Sequence, residues 1–356
     1  MFVKFDESLL DILCCSLCKG DLLRSERGFL CQNCGLFFPL TARRAGNDQV
    51  EKVYDFRLHW PDYCVPPGKL SWQETQINYE HFSDDFGVRD SLQEYLDEID
   101  SVKEIYTQEF HICGSVLDVG GHQGRLRHFL DEDVALYVSI DPHIEVFRGM
   151  DRQPNLLKAY PCLSEPCNFL AAHGEYLPFK SGSFDWVHMR SVVDHFEDPY
   201  RAFLEAYRVA RPGGKVLVGL AILEKIKNEL QNAPQPPINE NVPVMPSQPS
   251  PKVSSLRRVY LKWKHGGWKG LYQAALWRIG LIPIPLSQPE PYIREQQVEE
   301  PQVHDDHMYR FTHLQLIDLM ERSGWKVAKE HWQKPPYYYC IYAMGEAQPV
   351  KQIAEK

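Results

Sequence analysis

The stretch SVLDVGGHQGRL, residues 115–126, decides the fold of this chain. It starts as a short apolar run and ends in glycines. This pattern is typical of a buried parallel strand that leads into a ligand-binding loop and a helix starting near Gly124. Glycine loops of this kind also occur in dinucleotide-binding folds. Taken alone, the stretch predicts a nucleotide site and leaves the identity of the ligand open.

Strand and helix signals alternate after this loop. The segment 199–214 is typical of a helix, with Pro199 near its start and Pro212-Gly213-Gly214 at its end. Such alternation predicts an α/β fold, with helices on both faces of a mainly parallel sheet and ligands at the carboxyl ends of the strands. The apolar runs that we interpret as further strands are at 136–141, 169–172, 184–190 and 215–221.

Elements are also predicted on either side of this core. Leu92, Leu96, Ile99 and Val102 fall at three- and four-residue spacing, which predicts an amphipathic helix over 91–110. Near the other end of the chain, a helix is expected to begin near Thr312. Strands are expected to follow it at 325–332 and 337–345.

Two cysteine pairs near the start of the chain indicate a metal site. Cys15-x-x-Cys18 and Cys31-x-x-Cys34 supply four thiolates, a set suited to tetrahedral Zn²⁺. Four protein ligands close such a site, so the zinc is expected to be structural. Cys14 is a spare thiol. The alternative is four buried or reactive thiols that hold no metal.

The cysteine region resembles a known small domain. LLDILCCSLCKGDLL (9–23) and FLCQNCGLFFPL (29–40) are similar to the zinc ribbon of the tRNA methyltransferase activator family, over about forty residues. Such ribbons also precede bacterial methyltransferase domains, so the ribbon does not itself specify RNA.

Several motifs occur in order and at ordinary spacing, starting with the glycine loop. They are Asp118 to Gly124, Asp141, Glu175 to Phe179, Gly182 to Asp185, and Arg208 to Gly214. The series resembles the class I S-adenosylmethionine-dependent methyltransferases, in particular the ubiquinone and menaquinone C-methyltransferase-like group. The resemblance implies a Rossmann-like seven-stranded sheet, with the zinc ribbon as an addition, and S-adenosylmethionine as the cofactor. A NAD enzyme is disfavoured because the loop lacks G-x-G-x-x-G.

The resemblance also implies roles for individual residues. The backbone at Gly120 and Gly121 is expected against the methionine part of the cofactor, Asp141 at the ribose, and residues 173–176 at the adenine edge. His122 replaces the middle glycine of the family, and histidine tolerates a left-handed backbone better than most residues. The expected cofactor-binding residues are Asp118, Gly120, Gly121, Gly124, Asp141, Gly174 and Glu175.

His195, in the segment VVDHFEDP, is the candidate catalytic residue. Methyl transfer is a displacement at the sulfonium, so the protein mainly aligns donor and acceptor. If the acceptor is a hydroxyl group, a nearby imidazole can serve as the base. The alternative is that His195 packs or caps locally.

The long segment 222–310 is expected to be an insertion that acts as a lid. Its first part is rich in proline. Between Asn241 and Pro289 it carries seven Lys or Arg and no Asp or Glu, with aromatic residues among them. Residues 256–286 are therefore a candidate for contact with an acceptor or with an anionic membrane surface. The alternative is a helical lid whose aromatic residues form its own core.

Composition limits the remaining possibilities. The net charge of −9 argues against general nucleic-acid binding, which needs a basic surface. The first residues lack a secretory pattern and no apolar run is long enough to span a membrane, so we expect a cytoplasmic protein. Nothing in the sequence indicates an oligomeric state.

The sequence thus predicts a zinc ribbon at 1–45, a connector with a helix at 46–110, and a methyltransferase domain at 111–346. The expected activity is methyl transfer from S-adenosylmethionine to a small-molecule, sugar or lipid-type acceptor. One alternative is an RNA or protein methyltransferase, supported by the ribbon and the basic insertion. Another is a non-catalytic binding module that keeps the fold.

Overall fold

The computed structural model describes residues 2–45, 49–58, 90–222, 309–333 and 340–347. Nearly all of the 222–310 insertion lies outside the described residues, including the basic aromatic part at 256–286. None of the helices within the described ranges is long and apolar enough to cross a membrane.

The main sheet has eight strands in the order β1-β8-β7-β6-β9-β10-β12-β11. Strands β1 to β10 of this sheet pair in parallel, whereas β12 is antiparallel to both of its neighbours. The strands are β1 (Val3–Lys4), β6 (Gly114–Val119), β7 (Val134–Asp141), β8 (Cys167–Ala171), β9 (Phe184–Arg190), β10 (Ala210–Ala221), β11 (Trp325–Trp332) and β12 (Cys340–Ala347).

The predicted α/β sheet is confirmed, with one strand more than the seven expected. The extra strand, β1, comes from the start of the chain and pairs with β8 at the edge. The Glu51 carboxylate holds it there by accepting hydrogen bonds from the backbone N–H groups of Phe2 and Val3, at 2.7 and 3.0 Å.

Helices cover both faces of the main sheet, as predicted. Helix α1 (Leu92–Glu104) continues into a π-helical turn at Ile105–Glu109, and it packs on the face that carries Val116 and Trp186. Helices α3 (Pro199–Val209) and α4 (His313–Arg322) pack on the face that carries Leu117 and Val187. The described residues also form the short helix α2 (Pro154–Ala159).

Two helix predictions need correction. The helix expected from near Gly124 is a short 3₁₀ helix, Arg125–Phe129. The helix expected over 199–214 ends at Val209 because Ala210 is already extended (ψ 142°) and pairs with Phe184. Pairing with the neighbouring strand thus ends the helix before the Pro-Gly-Gly sequence is reached.

The cysteine region forms a separate four-stranded antiparallel sheet in the order β2-β3-β4-β5. This sheet continues past residue 45, where we expected the ribbon to end, through a strand that closes at Tyr54. Its strands are β2 (Leu22–Ser25), β3 (Gly28–Cys31), β4 (Phe37–Ala45) and β5 (Gln49–Tyr54).

The ribbon is joined to the main domain through backbone hydrogen bonds and a shared core. Cys14 N–H donates to the carbonyl of Pro178 at 2.9 Å, and Lys180 N–H donates to the carbonyl of Ile12 at 2.7 Å. Buried Leu13 and Phe29 belong to the same apolar cluster as the sheet residues on this face. The ribbon therefore covers part of the sheet in the way a helical layer does.

Candidate functional site

A cavity of about 390 Å³ opens at the carboxyl ends of β6, β7 and β9. Cavities of this size and position hold small ligands in α/β proteins. The structure brings most of the predicted site residues together here, while Gly124 lies outside the cavity wall. The predicted residues in the wall are Asp118, Gly120, Gly121, Asp141, Gly174, Glu175 and His195.

Two positions in the loop require glycine because neighbouring side chains pack closely against their Cα atoms. Gly120 has a φ of +67°, and a Cβ atom there would lie 2.2 Å from a methyl carbon of Val192. A Cβ atom on Gly121 would lie 2.6 Å from the Asp118 carboxyl group and from Ser139 Oγ. Glycine is therefore needed at both positions, because a side chain would collide with the groups packed against the loop, and both glycines line the cavity.

His122 adopts the left-handed backbone conformation expected at this position, with a φ of +48°. Its N–H donates to Asp141 Oδ2 at 3.2 Å, and its carbonyl accepts a hydrogen bond from Ser139 Oγ at 3.0 Å. Burial, helped by Arg125, lowers the pKa of His122 to about 3. The imidazole beside the cavity is therefore neutral at physiological pH.

Asp141 ends β7 with its carboxylate oriented by the backbone. Oδ1 accepts a hydrogen bond from His143 N–H at 2.8 Å, and Oδ2 accepts the bond from His122. A carboxylate held in this way can accept hydrogen bonds from a diol such as a ribose.

The segment after β8 forms a second wall. His173, Gly174 and Glu175 are all buried there. Glu175 Oε1 accepts hydrogen bonds from the N–H groups of Glu197 and Asp198, at 2.8 and 3.4 Å, just before α3 begins. Burial outweighs these bonds and raises the pKa of Glu175 to about 7. Its carboxyl group therefore titrates near neutral pH.

Asp118 takes part in a buried chain of hydrogen bonds. Its Oδ2 accepts a hydrogen bond from Tyr137 Oη at 2.5 Å, and its Oδ1 lies 2.7 Å from His188 Nδ1. His188 Nε2 lies 2.8 Å from the Tyr106 hydroxyl. With His188 Nδ1 donating to Asp118, His188 Nε2 accepts a hydrogen bond from the Tyr106 hydroxyl group. The chain links α1, β9, β6 and β7 at the cavity.

An ion-pair cluster occupies another part of the wall. Glu98 Oε1 lies 3.1 Å from Arg190 Nη1, and Glu98 Oε2 lies 3.4 Å from Arg125 Nη1. Burial alone would lower the pKa of Arg190, but Tyr342, Tyr106 and Glu98 raise it above its ordinary value. Two guanidinium groups thus face one carboxylate in this cluster.

The candidate base His195 follows β9 and lines the same cavity. Its Nε2 lies 3.8 Å from Asp194 Oδ1, and its side chain is 24% exposed. This position leaves the imidazole accessible from the cavity.

The four predicted cysteine ligands lie together at one end of the ribbon, and their sulfur atoms lie within 4.8 Å of one another. Cys15 Sγ is 3.6 Å from Cys34 Sγ, and Cys18 Sγ is 3.4 Å from Cys31 Sγ. Gly20 leaves room beside these sulfurs, since a Cβ atom there would lie 3.3 Å from two of them. A compact set of four thiolates fits a tetrahedral metal ion such as Zn²⁺.

Lys19 connects this cysteine knuckle to the cavity wall. Its Nζ donates to the carbonyl of Leu177 at 3.1 Å and pairs with Glu205 on α3 at 2.5 Å. Leu177 lies two residues after Glu175 in the wall segment. The knuckle therefore supports the backbone that carries the second wall.

Sequence analysis missed the polar groups that reach the cavity from α1 and β9. Glu98 and Tyr106 lie on the predicted amphipathic helix, but their direction depends on how that helix packs. His188 and Arg190 carried a usable signal, because with Trp186 they alternate along one face of a buried strand. Polar residues at the carboxyl end of a buried strand indicate a site.

Comparison with known proteins agrees with this arrangement. Residues 117–218 match the family described as a methyltransferase domain. This range contains the glycine loop, Asp141 and the sequence Arg211-Pro212-Gly213-Gly214. The chain carries a methyltransferase domain. Residues 6–41 match the Trm112p-like family, and this range contains all four cysteine ligands.

The methyltransferase domain has recognisable relatives. An uncharacterized methyltransferase of Mycobacterium sp. (strain KMS) is 31% identical over 108 residues, covering 30% of this chain and 39% of the relative. The ubiquinone/menaquinone biosynthesis C-methyltransferase UbiE of Blochmanniella floridana is 26% identical over 137 residues, covering 37% of this chain and 49% of the relative. The chain thus spans less than half of the length of each of these relatives.

Solved structures also resemble the chain. The PH0226 protein of Pyrococcus horikoshii OT3 is 13% identical, with a TM-score of 0.43, covering 74% of this chain and 94% of that protein. A TM-score this low carries no argument about activity.

Proposed function

We propose that the chain is an S-adenosylmethionine-dependent methyltransferase that acts on a small-molecule, sugar or lipid-type acceptor by direct displacement at the sulfonium methyl group. The observation that carries this proposal is the meeting of the Gly120-Gly121 backbone and the Asp141 carboxylate in one cavity of suitable size. The family match of residues 117–218 supports it.

The residues of the cavity fit such a cofactor. Bound S-adenosylmethionine would supply an electrophilic methyl group on a sulfonium. Asp141 would accept hydrogen bonds from the ribose, while the 173–176 segment would lie along the adenine. The backbone at Gly120 and Gly121 would lie against the methionine part, because both glycines line the cavity. Asp118 would act by fixing the wall, since its oxygens bond to Tyr137 and His188.

His195 is the proposed proton acceptor for a hydroxyl acceptor. Deprotonation of the acceptor oxygen would place the proton on the imidazole, and Asp194 would stabilise the resulting charge. A carbon acceptor, of the kind that the name of the C-methyltransferase UbiE implies, would also need a proton acceptor, because methylation of the carbon releases a proton.

The ribbon is proposed to hold one structural Zn²⁺ through Cys15, Cys18, Cys31 and Cys34. Four protein ligands leave no open position for substrate, so this metal would stabilise the ribbon and not take part in transfer. Metal analysis of the purified chain should give one zinc per chain. Replacing Cys18 and Cys31 by serine should remove it.

A transfer assay with methyl-labelled S-adenosylmethionine tests the activity. The full chain is incubated with separate small-molecule, lipid, RNA and protein fractions of a cell extract, and an Asp141→Asn variant serves as the control. We expect label in the small-molecule or lipid fraction with the wild-type chain, and at most a tenth of it with the variant.

The other outcomes decide between the alternatives. Label in the RNA or protein fraction would mean that the acceptor is a macromolecule and not a small molecule, sugar or lipid. If the chain binds S-adenosylhomocysteine and labels no fraction, the non-catalytic binding module becomes the better account.

A further inference from the structure

The strongest feature that the proposed function leaves unexplained is the pair of arginines in the cavity wall. Arg125 begins the short helix after the glycine loop, and Arg190 ends β9. Both line the cavity together with Glu98, the acid that bridges them. Two guanidinium groups share one carboxylate, so one positive charge is not neutralised within the cluster.

The two guanidinium groups have more N–H donors than Glu98 can accept from. Each guanidinium has five N–H donors, and Glu98 is bonded to a single nitrogen of each. Arg125 Nε is buried and makes no hydrogen bond with any described residue. The donors that can serve an anion in the cavity are therefore the terminal nitrogens of the two arginines.

The acidic and basic groups of the cavity wall lie at the ends of different strands of the sheet. Asp141 ends β7 and Arg190 ends β9, with β6 between them. Two strand spacings separate the two ends by about 10 Å. One end thus offers acceptors for a diol, and the other offers guanidinium donors for an anion. Two other acids of the wall have partners of their own, because Asp118 is bonded to Tyr137 and His188 and Glu175 accepts from backbone N–H groups.

We infer that Arg125 and Arg190 form a carboxylate-binding subsite in the cavity wall, with Glu98 holding the two guanidinium groups in place. This inference rests on the proposed function for its preferred ligand, the amino-acid carboxylate of the cofactor. That carboxylate and the ribose lie on opposite sides of the sulfonium, and Arg190 and Asp141 end two strands that are separated by β6. An acidic acceptor would present the same chemistry.

Calorimetric titration of the full chain distinguishes these sources. The ligands are S-adenosylhomocysteine, 5′-methylthioadenosine, which lacks the amino-acid carboxylate, and benzoate added to the chain saturated with S-adenosylhomocysteine. The variants are Arg190→Met and Arg125→Met, each checked by thermal unfolding. Arg211→Met is the matched control, because Arg211 pairs with Asp185 outside the cavity wall.

We expect either cavity variant to weaken S-adenosylhomocysteine binding about 10- to 100-fold and to leave 5′-methylthioadenosine unchanged. Arg211→Met should change neither. If both nucleosides bind normally and the variants abolish benzoate binding, the subsite stands and its ligand is an acidic acceptor.

Equal losses for both nucleosides would overturn the inference, because the arginines would then act only on the shape of the cavity. So would unchanged nucleoside binding with no benzoate bound by the wild-type chain. If the wild-type chain binds neither nucleoside, the proposed function fails. The subsite is then decided by whether benzoate binds the free wild-type chain and not the variants.

Discussion

At the scale of single residues, His122 is the departure from the family pattern that the structure accommodates most directly. Its φ of +48° suits glycine, asparagine and histidine but not a β-branched residue. We therefore expect His122→Val to lower the free energy of unfolding by about 2 kcal/mol, whereas His122→Gly should stay within about 1 kcal/mol of the wild type. Urea unfolding of the three proteins measures this. Equal stability of the valine variant would show that the loop is not held in this conformation.

Glu175 should make stability depend on pH. Its pKa of about 7 lies above the ordinary value of 4.5, so between these values the native state holds a proton that the unfolded state has lost. Stability from this group therefore falls as pH rises from about 4.5 to 7, by a total of about 3 kcal/mol. Glu175→Gln removes this dependence.

Unfolding of wild type and Glu175→Gln at pH 5, 6, 7 and 8 tests this expectation. The variant should gain stability relative to the wild type as pH rises, and most of the gain should be complete by pH 8. Parallel pH curves for the two proteins would contradict the raised pKa.

The residues that sequence analysis identified are those whose backbone or position in a motif is distinctive. The left-handed conformation of His122 follows from its place in a glycine loop, and the position of Asp141 follows from the end of a strand. The bonds of Asp118 to Tyr137 and His188 were not predictable, because they join residues from three separate strands. Only packing brings these side chains together.

At the scale of elements, the contact between ribbon and domain should matter for stability. Lys19 is the main polar link, with Glu205 largely buried beside it. Lys19→Met should lower the free energy of unfolding by about 2 kcal/mol, because the Leu177 carbonyl and Glu205 both lose a partner while Arg208 still pairs with Glu205.

The matched control is Arg24→Met on the same ribbon. Arg24 pairs with Glu7, but both side chains are exposed, so the loss should stay within about 0.5 kcal/mol. Denaturant unfolding of both variants gives the comparison. Similar losses for both would mean that the ribbon does not support the domain through Lys19.

Elements with strong local patterns were predicted well. β9 and β11 have the expected bounds, and α4 begins directly after Thr312, near which a helix start was expected. The elements that sequence analysis missed or misplaced depend on distant partners. β1 exists because β8 and Glu51 provide its hydrogen bonds. Helix α3 ends early because Ala210 pairs with β9.

At the scale of the whole molecule, three parts of the chain build one cavity. The ends of the parallel strands supply the loop and Asp141, helix α1 supplies Glu98 and Tyr106, and the ribbon supports the wall that carries Glu175. The α/β fold and the ribbon could be predicted because each has its own sequence motifs. The way in which the ribbon packs on the α/β domain could not be predicted, because the contacts between the two leave no local pattern in the sequence.

Titration of the full wild-type chain with S-adenosylhomocysteine tests the central claim most directly. We predict one site per chain, with Asp141→Asn weakening the affinity at least about tenfold and exposed Asp131→Asn leaving it unchanged. Folded wild-type protein that binds no S-adenosylhomocysteine would contradict the account.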